Sequence, residues 1–463
     1  MTVTGLPDEV SPDGVAAPGG PAISLTWLGS PWAVAALALL ARAVFGVVYW
    51  GQDVWLTGPA FAAAQGGDPS KYAGIVANIL AGDGFTFEGR PTARVGPMLP
   101  YVMAGVFKLV GTSFWSLLVA NGVFGAAAAF AVWRIATALY GDVRIAALAG
   151  VFVALNPGLL HWSAMLMTQG LCIALLTWGV LQLVEFVRTG RTFRMAAGGI
   201  LLALAALTRA EVLLTALLIP FAMWLGGRRA EPQGLGRSTL AFVAAAVLTL
   251  APWTVRNYLV FGALLPVTSS SGVVFLHGNG PQYAGVGIWD PQVWRLPPEG
   301  ALTALGRTDL VTGGSPAPAA EDEVTQRGRA WRIALRYLAE HPGEYLKRCL
   351  GRLLTLWLPW TPVMSPLHRV AKGSLWVAVV PTGFWALWRS RHLALAGPVT
   401  VPIVGTTLVL TGLLLDPALA YRTPAEAFLA VFAAAGWILV WERIRWRVVA
   451  RAEDSRSTAV GTR

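Results

Sequence analysis

Windows of roughly 18 to 25 apolar residues recur along this chain, and no other feature narrows its fold as far. Many are apolar on every side rather than along one stripe, which suits helices surrounded by lipid. Within hydrocarbon a backbone must satisfy its own hydrogen bonds, so windows of this length read as helices. The candidate spans are residues 31–50, 97–112, 115–139, 143–161, 165–187, 195–209, 211–226, 238–259, 346–361, 371–388, 393–415 and 424–441. Composition agrees: 55% of residues are hydrophobic and 13% charged, with a mean hydropathy of +0.59. The expected fold is an all-α polytopic membrane protein with about 10 to 13 transmembrane helices.

The formal charge of +11 comes from 35 Lys and Arg against 24 Asp and Glu. These basic residues are scattered over short loops between spans, without the aromatic-basic stripe of a nucleic-acid surface, so positive-inside bias explains them and no nucleic-acid partner is expected. Arg443, Arg445, Arg447 and Arg451 follow the last span directly, making 442–463 a basic cytoplasmic tail that meets membrane lipids. Residues 1–30, rich in Pro and Gly and without a basic leader, read as a disordered cytoplasmic tail ahead of a membrane domain at 31–441. Cys172 and Cys349 lie far apart in apolar segments and support neither a disulfide framework nor a metal site.

Two stretches outside the spans are long, 51–96 and 260–343. Working back from the tail through the basic loops near 190 and 230 puts 260–343 and Thr168 outside, with Arg134 and Arg144 inside. The side of 51–96 stays open, because 97–112 is short and carries Pro97 and Pro100; if every candidate crosses, that loop falls inside. In the second stretch, Trp331, Ile333, Ala334, Tyr337 and Leu338 give an amphipathic helix suited to a membrane surface, broken at Pro342 and Gly343.

In the first stretch, Tyr72, Ile75, Val76, Ile79 and Leu80 recur at helical spacing, and Asp68-Pro69 is a helix-start pair. Asp68 therefore has two readings, a cap or a carboxylate placed at the membrane surface to take a proton from an incoming hydroxyl or amine. Asp83 between glycines reads as a turn former. Arg90 reads as a loop end, whereas Arg94, just before an apolar run, can also fork onto a phosphate whose lipid tail stays in the bilayer.

The ordered set "DPSKY", "LAGDGF", "RPTARVGPMLPY", "NPGLLHWSAMLMTQ", "LTRAEVLL", "APWTVRNYLVFGALLPVTSSSGVVFLHGNGP", "AEHPGEYL" and "AYRTPAEAFLAVFAAAG" resembles bacterial membrane glycosyltransferases of family 39. These are relatives of protein O-mannosyltransferases and of the lipid A aminoarabinose transferase. The resemblance runs over roughly residues 31–441 and implies a C-type glycosyltransferase fold, with amphipathic helices in two extracytoplasmic loops. It implies a polyprenyl-phosphate-linked sugar as donor and places 51–96 outside. It makes Asp68 the catalytic base, with Tyr72 beside it, although Pro69 replaces the frequent second acidic residue. Thr168-Gln169 stands where relatives have Thr-Glu, and an amide is a poor ligand for a divalent ion, so metal-independent transfer is expected, with altered or lost activity as the alternative.

For the remaining candidates a structural and a functional reading stand together. Arg209 is a rare charge between apolar halves, paired with Glu211 or with a lipid phosphate. Arg256 and Asn257 either anchor a span, clamp the outer loop or touch the donor. Asn279, in a glycine-flanked stretch with His277, suits a tight loop that shows polar groups to a ligand. Tyr421 and Arg422 match the family's basic site near the donor, the plain alternative being a snorkelling Arg. The expected function is inverting transfer of a sugar to an envelope acceptor at the outer face of the cytoplasmic membrane, the leaving phosphate held by Arg94, Arg256 or Arg422. A lipid or polysaccharide transporter or flippase is the rival, opposed by the scarcity of charges within spans and by the lack of inverted hydropathy symmetry. A lipid-sugar-binding scaffold without turnover is a third reading.

Overall fold

The computed structural model describes residues 29–66, 68–227, 235–280, 322–357, 366–393, 395–412 and 419–460. The chain is helical there except for a two-strand hairpin, β1 (Thr86–Phe87) and β2 (Arg90–Pro91), in which Phe87 faces Arg90. Five described helices are long and apolar enough to cross a membrane: α1 (Pro31–Trp50) with the turn after it, α5 (Phe114–Tyr140), α8 (Gln169–Thr189), α11 (Leu235–Phe261), and Arg422–Trp446 within α17 (Leu419–Val460). A sixth is the pair α6 (Val143–Ala154) and α7 (Pro157–Ser163), bent by 46° at its break. The protein is a multi-pass membrane protein. Shorter apolar helices stand among these: α4 (Met98–Val110), α9 (Thr192–Thr208) and α16 (Ala396–Gly412), with α10 (Val212–Gly227) following α9.

Local chemistry sets the helix ends. Ser30 accepts from the Trp32 amide to start α1, Ser113 from Ser116 to start α5, and Asn156 from Leu159 to start α7 with Pro157 in its first position. Gly141 and Gly190 take the left-handed conformation that closes α5 and α8. Small residues let the helices approach closely. A Cβ on Gly150 would strike Val34, and one on Gly199 would strike the Phe242 carbonyl, so α1 meets α6 and α9 meets α11 at near backbone contact.

The first loop stays on one face. Gly58 donates to the Thr112 carbonyl at 2.9 Å, and Thr57 bridges Ser113, so the end of α1 and the start of α5 lie level. Between them α4 has 13 residues and is only about 20 Å long, short of the ~30 Å hydrocarbon core. The candidate span 97–112 therefore does not cross. On the opposite face, Gly29 approaches Val143, and Arg144 pairs with both Asp142 and Glu442 at 2.7 Å. That gathers the start of α1, the α5–α6 turn and the far end of the last span. The α7–α8 junction, the α9–α10 break and the segment after α11 share the first face with 51–113.

Two amphipathic expectations are met by protein rather than by an open surface. In α3 (Asp68–Ala81), Ala73, Ile75 and Val76 are buried, Val76 with Phe107 and Met103 of α4 in one cluster. In α13 (Glu323–Glu340), Ala330 and Ala334 pack on Phe275 and Leu276 of α12 (Ser271–Asn279), where Gly272 sits against the Arg327 carbonyl. The candidate span 346–361 opens as α14 (Pro342–Leu356), an amphipathic helix with Leu346, Leu350 and Leu354 exposed and Arg352 buried. The span expected at 371–388 lies in α15 (Pro366–Ser390). The expected tail at 1–28 lies outside the described residues.

Candidate active site

Three groups of polar side chains line the face that carries the first loop, and each joins segments far apart in the chain. The first centres on Tyr72. Its phenol is turned toward the Thr168 side chain, and Asp68, Arg209 and Glu211 act on it electrostatically. Burial raises the Tyr72 phenol to about 12, with Arg209 pulling the other way. Arg209 donates to Thr168 Oγ1 at 2.9 Å and to Glu211, so one guanidinium ties the α9–α10 break to the start of α8. The geometry brings Asp68, Tyr72 and Arg209 into one neighbourhood beside Gln169. Asp68 opens α3, pairs with Lys71 at 2.9 Å and keeps its side chain 67% exposed, open to a ligand arriving from solvent or the headgroup layer.

Gln169 is 1% exposed, and its Oε1 has no partner among the described residues. Beneath it the Met165–Leu166 peptide is held from both ends. Asn121 Nδ2 donates to the Met165 carbonyl at 3.1 Å, and the Leu166 amide donates to Gln65 Oε1 at 3.4 Å. Asn121 Oδ1 and Gln65 Nε2 are also buried without partners. A buried polar atom left so costs about 1–3 kcal/mol unless solvent or ligand reaches it.

The second group joins the two long segments that lie outside the candidate spans. Arg256 donates to the Thr92 carbonyl at 2.9 Å, to the Phe85 carbonyl at 3.1 Å and to Asn257 Oδ1 at 3.0 Å, while lying over Trp253. Asn257 donates to the Leu265 carbonyl at 2.9 Å. Of the readings held open for Arg256 and Asn257, this geometry is that of a clamp on the outer loop. Arg94 is 40% exposed and pairs through Nε with Glu323 at 3.4 Å. Two residues on, a Cβ at Gly96 would lie 2.2 Å from the Leu207 carbonyl, so the Arg94 segment packs directly against the end of α9. The turn read at Asp83 forms with Gly82 and Gly84 at positive φ, and Arg90 sits in the exposed hairpin.

The third group lies along α14. Asn279 is not in an open loop: it ends α12, is fully buried, and its Oδ1 accepts from Arg352 at 2.7 Å. A helical turn followed by burial under α14 replaces the exposed turn expected from its neighbouring glycines. Arg422, 3% exposed, donates to the Leu356 carbonyl at 2.9 Å and to Glu426 at 2.6 Å, and Asn156 donates to the other Glu426 oxygen at 3.1 Å. Beside them a cavity of about 20 Å³ has room for a water or so, not for a sugar. The Tyr421 and His277 side chains lie outside what the structure describes.

Glu323 and Glu426 are carboxylates of these polar groups that sequence reasoning missed. Glu426 had a signal, its i,i+4 spacing from Arg422. Glu323 had none, because its partners lie 54 and about 230 residues away along the chain.

Residues 93–255 match the family described as dolichyl-phosphate-mannose-protein mannosyltransferase, which bears out the family resemblance read from the motifs. No curated protein matches in sequence. Among solved structures the chain is similar to the archaeal oligosaccharyltransferase AglB from Archaeoglobus fulgidus. In its complex with an inhibitory peptide and a dolichol-phosphate the TM-score is 0.52 at 14% identity, over 91% of this chain and 52% of that one. In its complex with Zn and sulfate the TM-score is 0.54 at 15% identity, over 90% and 50%. ArnT from Cupriavidus metallidurans bound to undecaprenyl phosphate aligns at a TM-score of 0.40 and 16% identity, over 87% and 77%. The fold is that of the C-type membrane glycosyltransferases, and the chain spans about half the length of the oligosaccharyltransferase chains it matches.

Proposed function

We propose that this protein transfers a sugar from a polyprenyl-phosphate carrier to an envelope acceptor at the outer face of the cytoplasmic membrane. The observation that carries this reading is the gathering of Asp68, Tyr72, Thr168 and Arg209 on one face, from the first loop, the start of α8 and the α9–α10 break. The family match at residues 93–255 supports a lipid-phosphate-linked donor. Sidedness follows from charge: the opposite face carries Arg144 and Arg191 beside short turns and Arg443 near the far end of the last span, the basic residues that positive-inside bias keeps in the cytoplasm.

In this reading Asp68 takes the proton of the acceptor hydroxyl or amine as it attacks the anomeric carbon. The sugar–phosphate bond breaks in the same displacement, with inversion, and the phosphate leaves on its lipid. Arg94 is the best placed of the candidate arginines to hold that phosphate, because it is partly exposed and meets Glu323 through Nε at 3.4 Å without giving a hydrogen bond to a backbone carbonyl among the described residues. Arg256 and Arg422 would each have to release backbone carbonyls first. Stabilising the leaving phosphate is the larger contribution, since a fixed guanidinium in a partly dry site outweighs base catalysis of about 10²–10⁴. Tyr72 and Arg209 keep the Asp68 end of α3 against α8.

A divalent metal does not fit this donor set. Gln169 offers one neutral oxygen and Glu211 is held by Arg209, whereas a hard cation gathers several charged oxygens. No step is assigned to one.

The test is transfer in proteoliposomes from a labelled polyprenyl-phosphate hexose or pentose to an envelope extract. Label arriving on the acceptor with release of polyprenyl phosphate supports the reading. Intact donor moving between leaflets without cleavage supports the transporter, and saturable donor binding without cleavage supports the scaffold.

A further inference from the structure

Glu323 receives more converging contacts than any function described so far accounts for. It is the first residue of α13, just beyond the Asp322 cap, and its side chain is only 13% exposed. Oε1 accepts from Thr92 Oγ1 at 2.7 Å and lies 3.4 Å from Arg94 Nε. Oε2 accepts from the Ala93 amide at 2.9 Å and from Ser269 Oγ at 2.8 Å. Ser269 in turn donates its amide to the Ala93 carbonyl at 2.8 Å. One carboxylate thus binds three consecutive residues of the first outer loop and one residue of the second.

A surface helix needs no such arrangement. A carboxylate at a helix start is stabilised by its own first-turn amides, and Asp322 already supplies that cap for α13 by accepting from Thr325. Glu323 instead turns away from its helix and spends all its capacity on 92–94 and 269. The consequence falls on Arg94. Its Nε edge faces Glu323, and its backbone amide donates to Thr92 Oγ1 at 3.2 Å, so both ends of the residue are referenced to the same carboxylate. Its Nη nitrogens, the fork that engages two phosphate oxygens at once, make no hydrogen bond among the described residues.

We propose that Glu323 is a positioning residue that locks the two outer loops together and orients Arg94 to receive the phosphate of the lipid-linked donor. This rests on the reading of Arg94 as the phosphate contact. A shift of about 1 Å in a contact of this kind costs on the order of a hundredfold, so loss of Glu323 weakens donor engagement without touching the reacting atoms.

The experiment measures binding of polyprenyl monophosphate, and the KM and kcat for lipid-linked sugar, in the full-length protein reconstituted in nanodiscs. The variants are Glu323→Gln, Glu323→Asp, Arg94→Gln and the double variant Glu323→Gln/Arg94→Gln, each checked for thermal unfolding. The expected result is an affinity loss of about tenfold or more for Glu323→Gln, carried in KM more than in kcat. Arg94→Gln loses at least as much, and the double variant is no weaker than Arg94→Gln alone. Glu323→Asp keeps the charge on a shorter arm and falls between, which keeps the test open if the Gln variant does not fold. Losses that add in the double variant, or wild-type affinity in a folded Glu323 variant while Arg94→Gln is impaired, overturn the positioning role and leave the Arg94 reading standing. Wild-type affinity in Arg94→Gln overturns the reading itself, and the Glu323 role with it.

Discussion

Asp68 and Tyr72 are four residues apart on α3, yet burial treats them oppositely. The carboxylate is exposed beside Lys71, and the phenol is turned into the contact with Thr168. A base that must meet an incoming acceptor needs the first environment, and a residue that fixes the helix carrying it needs the second. For Tyr72 the folded phenol titrates at about 12 against about 10 in an unfolded chain, so its contribution to stability is complete below pH 10 and is lost as pH rises toward 12. Thermal unfolding across pH 9 to 12 is expected to fall less steeply in Tyr72→Phe than in the wild type. Arg256 gives a second prediction at this scale. Replacing it with Met strands the Phe85 and Thr92 carbonyls and removes the cation over Trp253, and is expected to cost about 2 kcal/mol. The measurement is the unfolding midpoint of the purified protein.

At the scale of elements, α4 shows where hydropathy misleads. Its residues are apolar enough to pass for a span, but it is too short to cross, and the Gly58–Thr112 hydrogen bond returns the chain after α4 to the level at which α1 ended. Pro97 and Pro100 marked the segment as unusual; the pairing that decides it joins residues more than fifty apart. Single cysteines at Gly84 and Thr112 are therefore expected to react with an impermeant maleimide from the same side, and a cysteine at Gly190 from the other. Opposite labelling of 84 and 112 would restore a crossing α4. The α6–α7 bend is a second element, which the single candidate span 143–161 passed over although Asn156-Pro157 is a helix-start pair. Arg42, in α1 and 3% exposed, donates to the Ala154 carbonyl at 3.2 Å and so caps the end of α6, in space left by Gly125. Arg42→Ala leaves those carbonyls unpaired in a dry setting and is expected to lower the unfolding midpoint by several degrees.

Across the whole molecule, what was legible in the sequence was whatever depends on neighbours in the chain. The long apolar helices, the first-loop helix with Asp68 at its head, and the short motifs of the family all follow from local spacing. Assembly was not legible, because it depends on which loops meet. Asn279 reads as part of an open turn until Arg352 of α14 is seen on it, and anchor, clamp and donor contact stay equal readings of Arg256 until its carbonyl partners are seen. The same holds for Glu323. Its acidic character is plain, but its role depends on residues 92–94 and 269 arriving at one point. The face that carries the first loop is thus a single construction from two loops, the α7–α8 junction and the α9–α10 break, and its proposed purpose is to hold a lipid phosphate and a base at one sugar carbon.

That purpose is tested most directly by single-turnover transfer from a labelled polyprenyl-phosphate sugar in proteoliposomes, comparing the wild type with Asp68→Asn. The variant is expected to bind polyprenyl phosphate as the wild type does and to lose transfer by about a hundredfold or more. Transfer by Asp68→Asn at the wild-type rate would contradict the account.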